Sequence, residues 1–445
     1  MDTAQTIDLE ITGVAHGGIF VARHEGRVIF VPDAIPGERV RARITDASRP
    51  AFWRAEAVEV LEASDDRRSH VWPEADIARP PHERPGGADF GHIRLDAQRE
   101  LKGRVLREAF ERFAHLPVDV AVEPAGDGES PDGTGWRTRL SLHVGPDGLV
   151  GPYAARSHHV VPVSSHPLAA APLADAALTL GARRGDRVDL VLPSDGQVRI
   201  IERTDAAGPR RGARGGSRRA TRASDAAERE VVVETVNGRA FRVDAGGFWQ
   251  VHRLAATTLA DAVAKSLRGA GFDPDAPNLD LYGGVGLFAA VMGEIGGPAT
   301  RVATVESAPR ATHHAARNLR EWGNAEAITA RVDRFLAAEV AEASEASGSL
   351  ADAYRDATVL LDPPRAGAGA EVVRSIATLA PRTVVYVACD PVALARDTAT
   401  FIAEGYEMRD LRALDLFPHS HHLEAVAVFG KDAGRAATGS AASRG

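Results

Sequence analysis

The stretch that decides the fold is Asn278-Leu279-Asp280-Leu281-Tyr282-Gly283-Gly284-Val285-Gly286-Leu287-Phe288. An apolar run ends in a glycine-rich turn and a helical pattern follows at once, which predicts a strand, a tight turn and a helix. Glycine lets a ligand approach the backbone closely, and open α/β sheets bind ligands at the carboxyl ends of their strands. We therefore predict a cofactor at this turn, bound in part by Gly284 and Gly286.

The same alternation continues on both sides of the turn. Predicted helices and strands follow one another at 254–267, 279–282, 287–292, 301–305, 309–321, 358–361, 369–379 and 383–388. Strands separated by helices of this length predict right-handed βαβ units and an open, mostly parallel sheet. The predicted fold class of residues 247–431 is therefore α/β.

Acidic residues follow the turn at positions that suit a nucleoside cofactor. Glu306 closes the next strand, about 20 residues on, where a carboxylate accepts hydrogen bonds from both ribose hydroxyls. Asp333 follows a second predicted strand, 327–332, and is placed to meet an adenine amino group, while Asp280 can orient an amino-acid moiety. The full Gly-x-Gly-x-x-Gly spacing of dinucleotide enzymes is missing. S-adenosylmethionine therefore fits the pattern better than NAD, which stays the alternative.

Cys389 is the only cysteine among the 445 residues. It ends the apolar run 384–388 and precedes Asp390 and Pro391, which suit the N-cap and first turn of a helix over 392–400. The positive end of a helix dipole lowers the pKa of a nearby thiol and favours the reactive thiolate. The sequence therefore predicts a nucleophile here, with a buried structural cysteine as the alternative.

The overall composition limits the class of protein. Hydrophobic residues make up 44% of the chain and charged residues 26%, as in globular proteins. No run is long and apolar enough to span a bilayer, and residues 1–5 lack the features of a signal peptide. With a single cysteine, this predicts a cytoplasmic protein without a membrane partner. The net charge of −8 argues against non-specific nucleic-acid binding over the whole surface.

Residues 1–62 predict a small β-barrel. Short alternating strands at 7–14, 20–23, 27–31 and 39–44 are joined by turns that contain glycine. The last of these strands places three arginines on one face, which predicts a basic outer stripe formed by Arg39, Arg41 and Arg43. A solvated strand face without a partner is the alternative at this point.

Three further regions lie between the barrel and the α/β domain. Residues 63–95, rich in Pro, His, Arg and Asp, predict a linker, and 96–116 predict a helix that joins the α/β domain. Residues 117–246 predict a central, mostly β subdomain that we expect to bind RNA. It is interrupted by an arginine-rich loop at 203–222 that we interpret as solvated, with an RNA contact as the alternative. The small residues at 432–445 predict a disordered tail.

Four motifs together identify a family. They are Phe248-Trp249-Gln250-Val251, Asp362-Pro363-Pro364-Arg365, Cys389-Asp390-Pro391 with Leu394 to Asp397, and Asp415-Leu416-Phe417-Pro418 leading to Glu424. With these motifs in this order, the chain closely resembles the RNA uracil carbon-5 methyltransferases over nearly its whole length. The resemblance implies a Rossmann-like class I methyltransferase domain, S-adenosylmethionine as cofactor, rRNA or tRNA as partner, and an RNA-binding TRAM barrel at the N-terminus. We expect a monomer.

The resemblance also implies roles for individual residues. Cys389 matches the nucleophile that adds to carbon 6 of uracil, and Glu424 matches the base that removes the carbon-5 proton. The apolar strand around Glu424 is expected to bury this carboxyl and raise its pKa. The family's S-adenosylmethionine contacts match Gln250, Tyr282, Glu306 and Asp362, and the last also faces the uracil.

The remaining polar residues of these motifs have supporting roles. Arg365 stands where methyltransferases that act on exocyclic nitrogens carry an aromatic residue. We expect it to hold the Asp-Pro-Pro turn through a salt bridge, with an RNA contact as the alternative. The barrel arginines of the basic outer stripe become RNA contacts in this interpretation. Three histidines, at 419, 421 and 422, are expected to belong to the site architecture, and no metal site is predicted.

Two alternatives stay open at this point. An RNA cytosine carbon-5 methyltransferase also uses a cysteine nucleophile, although that class relies on a Pro-Cys motif and Cys389 follows Ala388. A non-catalytic RNA-binding protein that retains the fold is the other alternative. Retention of both Cys389 and Glu424 speaks against it.

One departure from the family yields a prediction. Many relatives hold an iron–sulfur cluster with four cysteines, two of them in a Cys-Gly-Gly-Cys run, whereas this chain has Pro85-Gly86-Gly87-Ala88 there. Residues 79–92 must then be held by packing, or be loose, because one thiol cannot supply four ligands. We predict that the purified protein is colourless and free of iron, measured by visible absorption and metal analysis. A stoichiometric iron content with visible absorption would contradict this prediction.

Overall fold

The computed structural model describes residues 6–183, 185–204, 225–345 and 354–431. These residues form two compact units. The first unit holds the described residues up to Glu108, from Asp119 to Thr258 and from Ala413 to Leu423, and the second holds Ala109 to Val118, Leu259 to Arg412 and the residues from Glu424 onward. The predicted tail 432–445 and residues 205–222 of the arginine-rich loop lie outside the described residues.

The first unit begins with a closed five-stranded barrel in the order β1-β2-β3-β5-β4. Its strands are β1 (Thr6–Ala15), β2 (Ile19–His24), β3 (Arg27–Val31), β4 (Arg39–Asp46) and β5 (Phe52–Glu62). Alternate residues point inward, so that Phe20, Ile29 and Val40 are fully buried in one apolar core. The sequence predicts four of these strands but not β5, because irregularities in its pairing with β4 break the simple alternation.

The segment that follows the barrel is held by packing and hydrogen bonds. The Arg84 guanidinium donates to the Asp33 carboxylate (2.9 Å) and to the carbonyls of Arg79 (2.7 Å) and Ile77 (2.8 Å). Ala88 is buried in an apolar cluster with Trp72, Ala75, Trp136 and Leu168. Of the two states expected for residues 79–92, the packed one is therefore observed.

The rest of the first unit combines one long helix with two small sheets. Its elements are α1 (Leu95–Ala109), β6 (Val122–Pro124), β7 (Arg139–Val144), β8 (Val150–Gly151), α2 (Ala171–Leu178), β9 (Arg187–Val191), β10 (Arg199–Arg203), β11 (Val231–Val236) and β12 (Arg239–Asp244). β6 pairs in parallel with Ala413 to Asp415, and the other strands form a sheet of order β10-β9-β7-β8 and the hairpin β11-β12. Arg203, predicted to open the arginine-rich loop, instead ends β10 and pairs with Asp189 and Glu228.

The second unit contains the predicted α/β sheet. Its elements are α3 (Ala255–Gly269, which begins in the first unit), β13 (Asn278–Leu281), α4 (Leu287–Gly296), β14 (Val302–Glu306), α5 (Pro309–Asn318), β15 (Ala325–Thr329), α6 (Val332–Glu345), β16 (Thr358–Leu361), α7 (Ala370–Leu379), β17 (Thr383–Ala388), α8 (Pro391–Ala403), β18 (Glu407–Asp415) and β19 (Glu424–Gly430). The strand order is β15-β14-β13-β16-β17-β19-β18.

Strands β13 to β17 pair in parallel, as predicted, and β19 runs antiparallel to β17. The predicted strand before Asp333 is wrong in its extent: β15 ends at Thr329, and Asp333 lies in the first turn of α6. Among the described residues, no helix is long and apolar enough to cross a membrane.

Candidate active site

The sheet register brings the two predicted catalytic residues side by side. Because β17 and β19 are antiparallel, the end of one lies beside the start of the other, and Ala388 pairs with Ala425. Cys389 directly follows β17 and Glu424 is the first residue of β19. Asp362 follows β16, which pairs in parallel with β17, so all three acidic groups meet at one edge of the sheet.

The helix after Cys389 is capped as the sequence predicts. α8 begins at Pro391, and the Asp390 side chain accepts hydrogen bonds from the backbone N–H groups of Val392 (3.0 Å) and Ala393 (2.8 Å). These two N–H groups therefore donate to the Asp390 carboxylate and not to the Cys389 sulfur. The helix N-terminus consequently offers the Cys389 thiol less stabilisation than a bare N-terminus would.

The predicted lowering of the thiol pKa is wrong. Burial raises the pKa of Cys389 to about 12, with further upward contributions from Glu424 and Asp362, and Arg365 opposes them. Burial is the first cause because a charged sulfur loses hydration that neighbouring groups do not replace. The thiolate is therefore the disfavoured form in this ligand-free arrangement.

The two carboxyl groups beside Cys389 are shifted in the same direction. Glu424 is 5% exposed, and burial raises its pKa well above the ordinary value, as predicted from its apolar strand. Burial also raises the pKa of Asp362 to about 7, and the charge of Asp280 adds to this shift. Neighbouring negative charges repel one another, so protonation of one of these groups makes ionisation of the others more favourable.

Asp397 joins the segments that carry Asp362 and Cys389, a role that the sequence pattern did not predict. This α8 carboxylate, only 4% exposed, accepts hydrogen bonds from the Tyr386 hydroxyl (2.7 Å) in β17 and from the backbone N–H of Ala368 (2.8 Å). Gly369 donates to it as well (3.2 Å). Asp397 thus fixes the loop after the Asp-Pro-Pro-Arg motif against the strand that carries Cys389. The available signal was an aspartate on the apolar face of a predicted helix.

Asp280 offers a free acceptor at the predicted cofactor turn. It is fully buried, and its Oδ2 accepts hydrogen bonds from Thr304 Oγ1 (3.0 Å) and the Ala289 backbone N–H (3.2 Å). Its Oδ1 is buried without a hydrogen-bond partner, and burial raises the pKa of this carboxyl to about 7. A buried oxygen of this kind fits an ammonium donor such as that of an amino-acid moiety.

The turn itself leaves room for a ligand. Tyr282, Gly284 and Gly286 all have positive φ angles of 61°, 56° and 88°, and a Cβ added at Gly284 would meet no atom within 4 Å. Gly286 immediately precedes α4, so the open turn leads into a helix N-terminus. Together with the free Asp280 oxygen, this open backbone fits S-adenosylmethionine.

Glu306 and Asp333 occupy the ends predicted for ribose and adenine contacts. Glu306 is the last residue of β14, and its Oε1 accepts from the Ala308 backbone N–H (2.7 Å) and the Ser307 hydroxyl (3.0 Å). The Arg331 guanidinium binds both oxygens of Asp333 (3.0 and 2.8 Å) and lowers the pKa of that carboxyl. Their contacts to a cofactor stay predictions.

The remaining motif residues belong to the first unit. Gln250 is half-buried in the irregular segment after β12, and its cofactor contact stays a prediction. His419 is fully buried, with ring nitrogens bonded to Gln98 (3.0 Å) and to the Asp132 carbonyl (2.7 Å), while His421 bonds to Asp89 (2.6 Å). Within the described ranges, no three His, Cys, Asp or Glu residues lie together as a metal site would require.

The three arginines of the predicted basic stripe are paired with four carboxylates of neighbouring strands. Arg39 pairs with Asp8 and Glu62, Arg41 with Asp8 and Glu59, and Arg43 with Glu56, at 2.8–3.4 Å. We call this surface the paired face. Exposed pairs of this kind contribute about 0–1 kcal/mol each.

The fold and the site define a class I, S-adenosylmethionine-dependent methyltransferase. Comparison with known proteins identifies the family. The TRAM domain model matches residues 3–58, and the tRNA (Uracil-5-)-methyltransferase model matches residues 250–431. A Streptomyces avermitilis protein named as an uncharacterized RNA methyltransferase is 38% identical over 461 residues, which cover 95% of this chain and 97% of the relative. The 23S rRNA (uracil(1939)-C(5))-methyltransferase of Shewanella sediminis is 26% identical over 96% of each chain.

A solved structure agrees with the fold. The Pyrococcus abyssi tRNA (uracil-54, C5)-methyltransferase in complex with S-adenosyl-L-homocysteine superposes with a TM-score of 0.64 at 19% identity, covering 95% of this chain and 100% of that chain. The chain belongs to the tRNA (uracil-5-)-methyltransferase family and carries its TRAM domain. The predicted family, fold class and enzyme class are confirmed.

Alkylation of Cys389 tests the electrostatics of the site. Because the chain has one thiol, intact-mass measurement of iodoacetamide labelling follows this residue alone. We expect a rate that still rises above about pH 9, the range where an ordinary thiol is already ionised. Glu424→Gln should move the profile to lower pH, since a carboxylate that opposes the thiolate is removed.

Glu404→Gln, at the C-cap of α8, is the matched control and should leave the profile unchanged. An unshifted profile in Glu424→Gln, or a wild-type profile that levels off below about pH 8, would contradict the assigned interactions.

Proposed function

We propose that this chain methylates carbon 5 of a uridine in rRNA or tRNA through a covalent adduct between Cys389 and carbon 6, with Glu424 as the base. The observation that carries the proposal is the placement of Cys389 and Glu424 at adjacent ends of β17 and β19, in the same sheet as β13 and its glycine turn. S-adenosylmethionine, when bound, supplies an electrophilic methyl group.

The nucleophile activates a carbon that is otherwise unreactive. As the Cys389 sulfur bonds to carbon 6, the ring's double-bond electrons move to the carbonyl oxygen, and the resulting enolate makes carbon 5 nucleophilic. Negative charge thereby leaves a sulfur whose pKa is raised by burial and by two carboxyl groups. Arg365, which opposes that shift, is the nearby cation that favours the charged forms.

The base allows the double bond between carbons 5 and 6 to form again, because the electrons of the carbon-5–hydrogen bond become that double bond. After methyl transfer, the Glu424 carboxylate takes the carbon-5 proton, the sulfur–carbon-6 bond breaks, and the thiolate leaves. A carboxylate whose pKa is raised by burial is a stronger base than an exposed one. The burial of Glu424 therefore suits proton removal.

The cofactor is assigned to the edge around β13 and β14. Asp280 would accept from the ammonium group of the methionine moiety, Gly284 and Gly286 would provide the backbone approach, and Glu306 would bind the ribose. Four further residues complete the proposed set: Asp333 at the adenine, with Gln250, Tyr282 and Asp362. The free Oδ1 of Asp280 is the observation that supports this orientation.

Several broader properties belong to the same proposal. RNA is the partner, and the chain acts as a monomer in the cytoplasm without an iron–sulfur cluster. The predicted RNA contacts at Arg39, Arg41, Arg43 and Arg365 stay predictions. The predicted domain limits, 1–62, 63–95, 96–116, 117–246, 247–431 and 432–445, also stay predictions.

Replacement of the nucleophile tests the first step. Cys389→Ala should lower methyl transfer by at least about 1,000-fold, since the adduct cannot form. Cofactor affinity should change less than about threefold, because the Asp280 edge is untouched. Methyl incorporation into RNA from a strain lacking this protein measures activity, and titration calorimetry with S-adenosylmethionine measures binding. Substantial residual methylation would rule out the nucleophile assignment.

Replacement of the base tests the last step. Glu424→Gln keeps the size of the side chain but removes its basicity, so the methylated adduct should accumulate. A denaturing gel of the variant with labelled RNA and S-adenosylmethionine should show a covalent protein–RNA band. The double variant Cys389→Ala, Glu424→Gln is the control and should show none. Absence of the band from the single variant, with activity lost, would count against the base role.

A further inference from the structure

The barrel has a second arginine-bearing surface, on β2, β3 and β5. Register places Arg23, Val28 and Phe52 in one row across these strands and Val21, Phe30 and Arg54 in the next. The row between them, Ala22, Ile29 and Trp53, is buried in the barrel core. Because neighbouring residues of a strand point to opposite sides, both outer rows face away from the core. Arg49, in the loop before β5, joins this surface. We call Arg23, Phe30, Arg49, Phe52 and Arg54 the aromatic–arginine face.

Guanidinium groups lie against an aromatic ring on this face. The Arg49 and Arg54 guanidinium carbons each lie 5.8 Å from the Phe52 ring centroid, within range of a cation–π contact. Phe30 meets Phe52 edge to face, with centroids 5.6 Å apart and planes at 68°. Both phenylalanines are half-buried and all three arginines are exposed. Apolar rings thus remain partly open to solvent beside cations.

The charge balance of this face differs from that of the paired face. On the paired face, three arginines meet four carboxylates at salt-bridge distance. Considering only residues that the structure describes, Arg23, Arg49 and Arg54 have no carboxylate within 4 Å. Asp46 is close enough for Arg54 and Arg49 to contribute to the lowering of its pKa, although the Ser48 hydroxyl is the main cause. The aromatic–arginine face therefore keeps a net positive charge on an acidic chain.

We propose that the aromatic–arginine face binds a single-stranded segment of the RNA substrate. Its guanidinium groups suit phosphate oxygens, and its open rings suit stacked bases, a combination typical of sequence-tolerant binding of single strands. An acidic peptide would satisfy the arginines but leave the two rings without a partner. The inference rests on the proposed function, since it assigns part of that substrate to the barrel.

Binding of a fluorescein-labelled oligouridine 12-mer to the full chain, followed by anisotropy, tests this surface. Phe52→Leu should weaken binding about tenfold, because one stacking platform is lost. Arg49→Gln with Arg54→Gln should weaken it by a similar factor and reduce the dependence of affinity on salt. The matched control, Arg94→Gln with Arg104→Gln, removes the same charge from two exposed ion pairs outside the barrel strands and should change affinity less than about twofold.

Thermal unfolding of each variant shows whether the barrel remains folded. Unchanged affinity in the folded face variants, an equal loss in the Arg94 and Arg104 control, or no binding by the wild type would overturn the proposal. Displacement of the RNA by hexaglutamate at similar concentration would also overturn it, since charge alone would then account for binding.

Methylation is measured separately, so the two proposals fail independently. If the wild-type chain methylates no uridine but the face variants lose RNA binding, the result supports the proposed RNA-binding face and contradicts the proposed function. Normal methylation with affinity unaffected by the face variants would reject the face alone.

Discussion

The site depends on one strand pairing, the antiparallel alignment of β19 with β17 inside an otherwise parallel sheet. In a fully parallel sheet, the residues at the carboxyl edge all lie just after a strand, and the chain then leaves this edge through the next helix. An antiparallel strand brings the start of a segment to that edge instead. Glu424 thereby lies next to Cys389, although the two residues are 35 positions apart in the chain. Backbone hydrogen bonds, not side-chain contacts, fix this distance, so the pair is as rigid as the sheet.

Crowding of acidic groups is the electrostatic consequence of that alignment. Cys389, Glu424 and Asp362 share one edge, and burial raises the pKa of each. Such an arrangement disfavours a charged Cys389 thiol at rest, and in the proposed mechanism it would favour the step that moves charge from sulfur onto the substrate. Asp397 adds the mechanical counterpart, because it holds the Asp362 loop and the Cys389 strand in one hydrogen-bond network. The raised pKa values and the positions of these groups therefore both depend on the Asp362 loop and on the strand that precedes Cys389.

The local sequence pattern predicts most helices, strands and turns of the α/β domain, but not the tertiary contacts between them. The parallel α/β sheet, the glycine turn and the Asp390 cap follow from residues close in sequence, and all are observed. β5 was not predicted, because its alternation of buried and exposed residues is interrupted. Asp333 was predicted to follow a strand directly, but that strand ends four residues earlier. The sign of the Cys389 pKa shift was wrong because the helix dipole is a local property, whereas burial and the Glu424 charge arise only from tertiary structure. The role of Asp397 required contacts across 29 residues.

The barrel illustrates the same limit for charge. Alternating arginines along β4 correctly indicate that their side chains share an outer face, but the field on that face also depends on β1 and β5, whose carboxylates pair with each arginine. On β2, β3 and β5, by contrast, no regular arginine pattern exists in the sequence. Register alone gathers Arg23, Arg54 and two phenylalanines there. The arginine pattern of a single strand therefore indicates which face its side chains share, whereas the net charge of that face depends on the carboxylates that neighbouring strands bring to it.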